Sequence, residues 1–296
     1  MKHGIRAIGF MVAALAFAGS ARAQHSPHYV NGIEGLKASS LPPPGVYWRN
    51  YTLFYTADRM RAPDRVKDGD LSLNVFGFVN RAIYITDKKV LGADWGMDII
   101  VPLVNTNFGY RNYHESQFAL GDITVEPLVL GWHGDRWDAA FGGGVFLPTG
   151  KFDSDRPESA GKGYWTGMAT LGGTYYFDCE KTWHASILSR FEFHSKQRST
   201  RMRPGEDFHF EWGVGKTLPN NLTVGAAGYA QWQLRGDKPS GGPRPGHLQR
   251  AFAAGPEIAY AVPKWKMDFS IKSIWEFGVR NGAEGGITTL ALTKAF

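Results

Sequence analysis

"NLTVGAAGYAQWQLR", residues 221–235, places Leu222, Val224, Ala226, Gly228, Ala230, Trp232 and Leu234 on one face of an extended chain. Thr223, Gly225, Ala227, Tyr229, Gln231, Gln233 and Arg235 fall on the other face. A period of two held for this long exceeds an ordinary globular strand of about 5–6 residues. "WKMDFSIKSIWEF" (265–277) repeats the pattern, with Trp265, Met267, Phe269, Ile271, Trp275 and Phe277 opposite Lys266, Asp268, Lys272 and Glu276. "DFHFEWGVG" sets Phe208, Phe210, Trp212 and Val214 against Asp207, His209 and Glu211. Charges alternating with large aromatics require a different medium on each face. A secreted sandwich supplies that with an apolar interior, and a transmembrane barrel supplies it inverted, with lipid outside and a polar lumen.

Connection lengths separate the two. Strands read at 46–56, 71–86, 93–103, 119–133, 136–147, 164–177, 183–193, 206–217, 222–235, 248–262, 265–277 and 286–296 leave links that alternate long and short. "ADRMRAPDRVKDGD", "VNTNFGYRNYHESQF", "LPTGKFDSDRPESAGKG", "HSKQRSTRMRPG", "GDKPSGGPRPGH" and "GVRNGAEG" are long; "DKKVLG", "GD", "DCEKT", "LPNN" and "PK" are short. Outer-membrane barrels pair short periplasmic turns with long external loops in this way. Greek-key sandwiches have no reason to alternate so regularly. The pattern predicts an all-β protein, a transmembrane antiparallel up-and-down barrel of about 12 strands over residues 46–296, with both ends periplasmic.

The N-terminus fits an exported protein. Lys2 and Arg6 precede an apolar run from Ala7 to Ala18, and Ala21-Arg22-Ala23 supplies a small-x-small cleavage site. Residues 1–23 read as a signal peptide, since about 12 apolar residues are too few for a spanning helix. Loss of Lys2, Arg6 and Arg22 takes the charge from +6 to about +3, so a basic pI of 9.3 is no argument for nucleic acid. Cys179 is the single cysteine and forms no intramolecular disulfide. "LPPPG" (41–45) cannot enter a sheet, so residues 24–45 form an N-terminal segment that either stays in the periplasm or plugs the lumen.

Stretches along the whole mature chain resemble the outer-membrane family named for the meta-pathway of phenol degradation. They are "NGIEGLKASSLPPPGVYWRNYTLFYTADRM", "GDITVEPLVLGWH", "LPTGKFD", "GYWT", "FEFHSK", "RPGEDFHFEWGVGK", "AAGPEIAY" and "RNGAEGG", in that order. The resemblance implies a barrel in the Gram-negative outer membrane that passes aromatic or other apolar compounds, and it carries no catalytic residue.

The inward faces supply candidate lumen-lining residues: Asp98, Asp122, Glu126, Arg190, Glu192, His209, Glu211, Arg235, Glu257, Lys266, Asp268, Lys272 and Glu276. Mixed charges facing a lumen either select solutes or neutralise one another in a narrow barrel. Loops 104–118 and 147–163 are expected to constrict the mouth. His184 and Ser186 share an inward face, which leaves a barrel-borne esterase as one alternative. No asparagine follows in "SKQRSTRMRPG" to orient the imidazole. A closed structural or adhesive barrel is the other alternative. His114, His194, His209 and His247 lack metal-ligand spacing, so neither metal nor cofactor is expected. Expected partners are membrane lipid, lipopolysaccharide at the basic loop 195–203, small aromatic or apolar solutes, and the barrel-assembly machinery. That machinery would read the C-terminal strand "TLALTKAF", in which Lys294 and Phe296 point outward.

Overall fold

The computed structural model describes residues 27–61, 66–238 and 248–296. The expected signal peptide lies outside the described residues. The strands are β1 (Gly45–Arg61), β2 (Val66–Val90), β3 (Ala93–Tyr110), β4 (Tyr113–Leu120), β5 (Ile123–His133), β6 (Trp137–Leu147) and β7 (Thr166–Tyr176). They continue as β8 (Trp183–His194), β9 (Asp207–Thr217), β10 (Leu222–Gln233), β11 (Arg250–Val262), β12 (Met267–Arg280) and β13 (Gly282–Ala295). Each pairs antiparallel with its sequence neighbours, except that β4 and β5 do not pair with each other, and β13 pairs with β1, so the sheet closes on itself. β4 and β5 both pair with β3 and form one barrel strand interrupted at Gly121–Asp122. The result is a 12-stranded antiparallel barrel. Closure removes the unpaired edges that a lipid environment would not tolerate.

The two faces follow the sequence pattern. Along β8, Trp183, Ile187, Phe191 and Phe193 are exposed on the outside, while His184, Ser186, Arg190, Glu192 and His194 are buried within. At the closing seam Tyr47 pairs with Ala295, and the Phe296 amide donates to the Val46 carbonyl at 3.1 Å. Phe296 is 72% exposed on the outer rim. The Lys294 ammonium turns along the surface to donate to the Trp265 carbonyl at 2.5 Å, which places it at the periplasmic edge.

Three expected loops are instead largely strand. β1 and β2 extend through much of 57–70, Arg111 and Asn112 form the whole turn between β3 and β4, and Asn281 alone separates β12 from β13. The reason is a change of solvent. Above the bilayer the outer face meets water, so Asn105 and Asn107 replace lipid-facing apolar residues while the ladder continues. The apolar signal stops where the membrane stops, not where the strand does. Residues 148–165 do form a loop, which packs along β4: Lys151 N donates to the Leu120 carbonyl at 3.2 Å, and Tyr113 donates to Glu158 at 2.8 Å. The expected constriction by 104–118 is thus corrected to a hairpin wall.

Candidate functional site

Residues 27–44 run along the inside of the barrel. Ser40 Oγ meets Thr174 and Tyr176 at 3.1 Å near the periplasmic end, and His28 meets Asp122 and Thr166 near the outer end. This stretch has no sheet partner among the described residues, so its backbone groups need others. Wall carboxylates provide them. Glu192 accepts from the His28 and Tyr29 amides at 2.7 and 2.9 Å, Glu211 from Glu34 N at 2.9 Å, and Glu257 from Leu36 N at 3.0 Å. Lys272 donates to the carbonyls of Ile33 and Glu34 at 3.3 and 2.5 Å. Two glycines permit the close fit. Gly32 has φ +79, and a Cβ at Gly35 would lie 1.8 Å from Glu257 Oε2.

Midway along the lumen these contacts merge into a charged belt. Arg81 donates to Asp98 at 2.6 Å, Glu126 at 2.9 Å and Glu34 at 3.2 Å. Arg49 approaches Glu34 at 3.2 Å, and the Tyr51 hydroxyl donates to it at 2.5 Å. Arg190 donates to Glu211 at 2.5 Å, with its guanidinium 3.8 Å over the Tyr29 ring. Burial alone would raise the Glu34 carboxyl, but Arg49, Arg81 and the Tyr51 hydroxyl outweigh it and hold the group at about 2, below its ordinary 4.5.

A testable pH dependence follows. A carboxyl depressed on docking binds protons more tightly when released, so its contribution is complete above about 4.5 and is lost as pH falls towards about 2. Protease cleavage within 27–44 is expected to stay constant from neutral pH down to about 5 and to rise below that. The span amounts to roughly 3 kcal/mol. Glu34→Gln should flatten the step, and a wild-type step centred near neutral pH would contradict the assignment.

Above the belt lies a cavity of about 980 Å³ bounded by the segment on one side and by β1–β3 on the other. Its far wall carries Leu53, Leu73, Val75, Ile100, Val104 and Phe108, while Arg81, Glu126 and Arg190 form the floor. Pro157, Ala160 and Lys162 of loop 148–165 reach the same space from the outer side. The apolar wall was not among the expected lining residues. Its signal is an apolar residue at every second position of 71–79, paired in register with 102–110.

Ten of the thirteen residues expected to face the lumen hold the segment, the belt or the cavity wall. Asp98 and Glu126 bind Arg81, Asp122 binds His28, and Arg190 and Glu211 enclose Tyr29. His209 meets Glu192 at 3.1 Å, and Glu257 and Lys272 bind the segment as described. Glu276 accepts from Tyr55 at 2.9 Å and also from Tyr229. The other three stand apart. β10 ends at Gln233, which leaves the Arg235 side chain 68% exposed beyond the ladder. Lys266 follows the 3₁₀ turn Pro263–Trp265 with φ 50, so the turn breaks the alternation before β12 begins. Asp268 is exposed at the periplasmic rim. Arg81, Arg49, Glu34 and Tyr51 were missed.

His184 and Ser186 lie beneath the segment and do not bond to each other. Ser186 Oγ donates towards the Gly35 and Gly213 carbonyls at 3.4 and 3.5 Å, and neither His184 ring nitrogen has a hydrogen-bond partner among the described residues. A serine turned towards carbonyl oxygens is not placed to give its proton to that imidazole.

The barrel is similar to the crystal structure of the COG4313 outer membrane channel from Pseudomonas putida F1. The two are 12% identical with a TM-score of 0.78, covering 89% of this chain and 100% of that one. At that identity the likeness establishes the fold. A looser likeness, TM-score 0.44 at 10% identity, links it to the CymD monoaromatic hydrocarbon channel over 86% of this chain and 89% of that one. No curated protein matches the sequence. Residues 57–291 match the family described as "Putative MetA-pathway of phenol degradation", and the chain belongs to that family.

Proposed function

We propose that the protein is an outer-membrane channel for passive uptake of small aromatic or apolar compounds. The observation that supports this most is the cavity of about 980 Å³, which presents an apolar wall to the outer side and ends on a charged floor. Its size suits small organic molecules, whose sites span roughly 300–1,000 Å³. A solute partitions from outside onto the β1–β3 wall and waits above the belt. Passage requires the N-terminal segment to shift, because its residues share the belt's hydrogen bonds. The segment thereby acts as a gate, and the lumen-facing charges hold the gate rather than line an open pore. Export by residues 1–23, lipopolysaccharide contact at Lys196, Arg198 and Arg201, and recognition of the last strand by the assembly machinery complete the reading. The name carried by the family agrees with an aromatic cargo.

The test is uptake of a small aromatic such as naphthalene into proteoliposomes. Val75→Trp combined with Val104→Trp fills the apolar wall, and uptake is expected to fall to that of protein-free liposomes while the barrel still shifts on heating in gel electrophoresis. The closed-barrel alternative draws on the same segment contacts. It would be preferred if wild-type protein gave no uptake above the lipid background.

A further inference from the structure

On the lipid-facing side of the barrel, a row of aromatic rings crosses β9 to β12 near their outer ends. Phe208 and Phe210 lie 6.3 and 5.9 Å from the Trp232 ring, centre to centre. Trp232 meets Phe252 edge-on at 5.5 Å, and Phe252 lies 5.9 Å from Phe277. Aromatic rings at this height mark the boundary between hydrocarbon and headgroups. Directly above the row, Arg250 of β11 and Arg280 of β12 are cross-strand partners. Like charges set opposite each other destabilise a sheet, so this pair runs against the stability of the wall.

The backbone brings the pair together by a local irregularity. Between the pairs Phe252–Phe277 and Arg250–Arg280, β12 carries one residue more than β11. That extra residue makes a β-bulge, with Gly278 at φ +61. Strict alternation from the outward Phe277 would turn Arg280 into the lumen. The bulge instead buries Val279 and exposes Arg280. Arg250 is held in place, with its guanidinium 5.1 Å over the Phe252 ring and its Nε donating to the Gly278 carbonyl at 3.3 Å. Among the described residues neither guanidinium meets a carboxylate. Nearby acids are engaged elsewhere: Glu276 with Tyr55 and Tyr229, Glu284 with Arg59 and Arg61, and Glu206 towards Arg203 and Arg235. Residues 239–247, which complete the adjoining loop, contain no aspartate or glutamate.

We propose that Arg250 and Arg280 bind a phosphate of the lipid A part of lipopolysaccharide, with Trp232, Phe252 and Phe277 packing against its acyl chains. Planar guanidinium groups grip phosphate oxygens with paired hydrogen bonds. A phosphate monoester carries about −1.5 to −2 charges at neutral pH and so balances two arginines, whereas the phosphodiester of a glycerophospholipid carries a single charge. The acyl chains of the same molecule would descend from the headgroup level along the aromatic row. This site is separate from the basic loop 195–203. It rests on the reading that lipopolysaccharide meets the outer rim, and it is independent of what the channel carries.

The experiment titrates the full mature chain, refolded in detergent, with bisphosphorylated lipid A and counts bound lipid by native mass spectrometry. Wild type is expected to bind it, and to bind dephosphorylated lipid A and phosphatidylglycerol far more weakly. Arg250→Gln combined with Arg280→Gln should weaken binding by about thirtyfold, the factor for two arginines beside an anionic lipid surface. Each single exchange should weaken it by about fivefold, which locates the site even if the double variant does not refold. Lys264→Gln, at the periplasmic turn, should bind like wild type. Lipid A should also raise the heat-shift temperature of wild type more than that of the double variant. Wild type that binds no lipid A would end the lipopolysaccharide reading as a whole. Binding that survives the arginine exchanges, or is lost only on exchanging Lys196, Arg198 and Arg201, would leave that reading standing and overturn this site. Equal binding of dephosphorylated lipid A or of phosphatidylglycerol would overturn it as well.

Discussion

Deletion of residues 27–44 is expected to turn a nearly silent protein into an open pore in planar bilayers. The barrel ladder runs β1 to β13 and back without drawing on the segment, so the wall should still assemble. What the segment supplies is occupancy: Glu192, Glu211 and Glu257 hold its amides, Lys272 its carbonyls, and Arg190 covers Tyr29. Without it these side chains would face a water-filled lumen, and hydration replaces hydrogen bonds that carry only about 0.5–1.5 kcal/mol net each. Barrel stability therefore falls less than the number of lost contacts suggests, while the cross-section rises sharply. Long-lived current steps and swelling of proteoliposomes in small sugars are the expected readouts. An unchanged, low conductance would place the barrier in the belt and loop 148–165 instead, and would remove the segment's role as a gate.

The sequence discloses the barrel because lipid imposes a strict rule on one face. Most outward residues of β8, β9, β10 and β12 are apolar, with Ser189, Lys216 and Ser273 as exceptions, and this parity alone places Glu192, Glu211 and Lys272 inside. It cannot say what they touch. Their partners come from residues 27–36, where "PHYVNGIEGL" has no periodicity because the segment bonds through its backbone. Arg81 was missed for a related reason: a lone arginine between Val79 and Ile83 in an apolar run looks like an interruption rather than a hub. Thr166, His194 and Asp207 carry no motif because they belong to three strands and meet only through register. Arg235 and Lys266 mark the opposite error, where alternation was carried past the point at which the chain leaves the ladder.

Arg81→Leu is expected to be the most destabilising single substitution in the wall. Asp98 and Glu126 are cross-strand partners in the β3–β5 register, and Glu34 meets the same guanidinium from the segment. Arg81 thus keeps three buried carboxylates apart from one another's charge. Two unit charges about 4 Å apart repel by roughly 4 kcal/mol at an effective dielectric near 20. Breaking such a buried cluster from one side costs about 3–5 kcal/mol, read as a lower urea midpoint for barrel unfolding. Arg81→Lys should fall between, since one ammonium lacks the planar fork that bridges separate carboxylates. Adding Asp98→Asn to Arg81→Leu removes one of the stranded charges and should recover part of the loss. If the double variant is no more stable than Arg81→Leu, the cost lies in lost packing and the electrostatic account fails. The surviving negative ring has a second consequence. Any current through Arg81→Leu should favour cations over anions more strongly than current through the wild type, whose belt sets three arginines against four carboxylates, and a reversal potential in a salt gradient measures the difference directly.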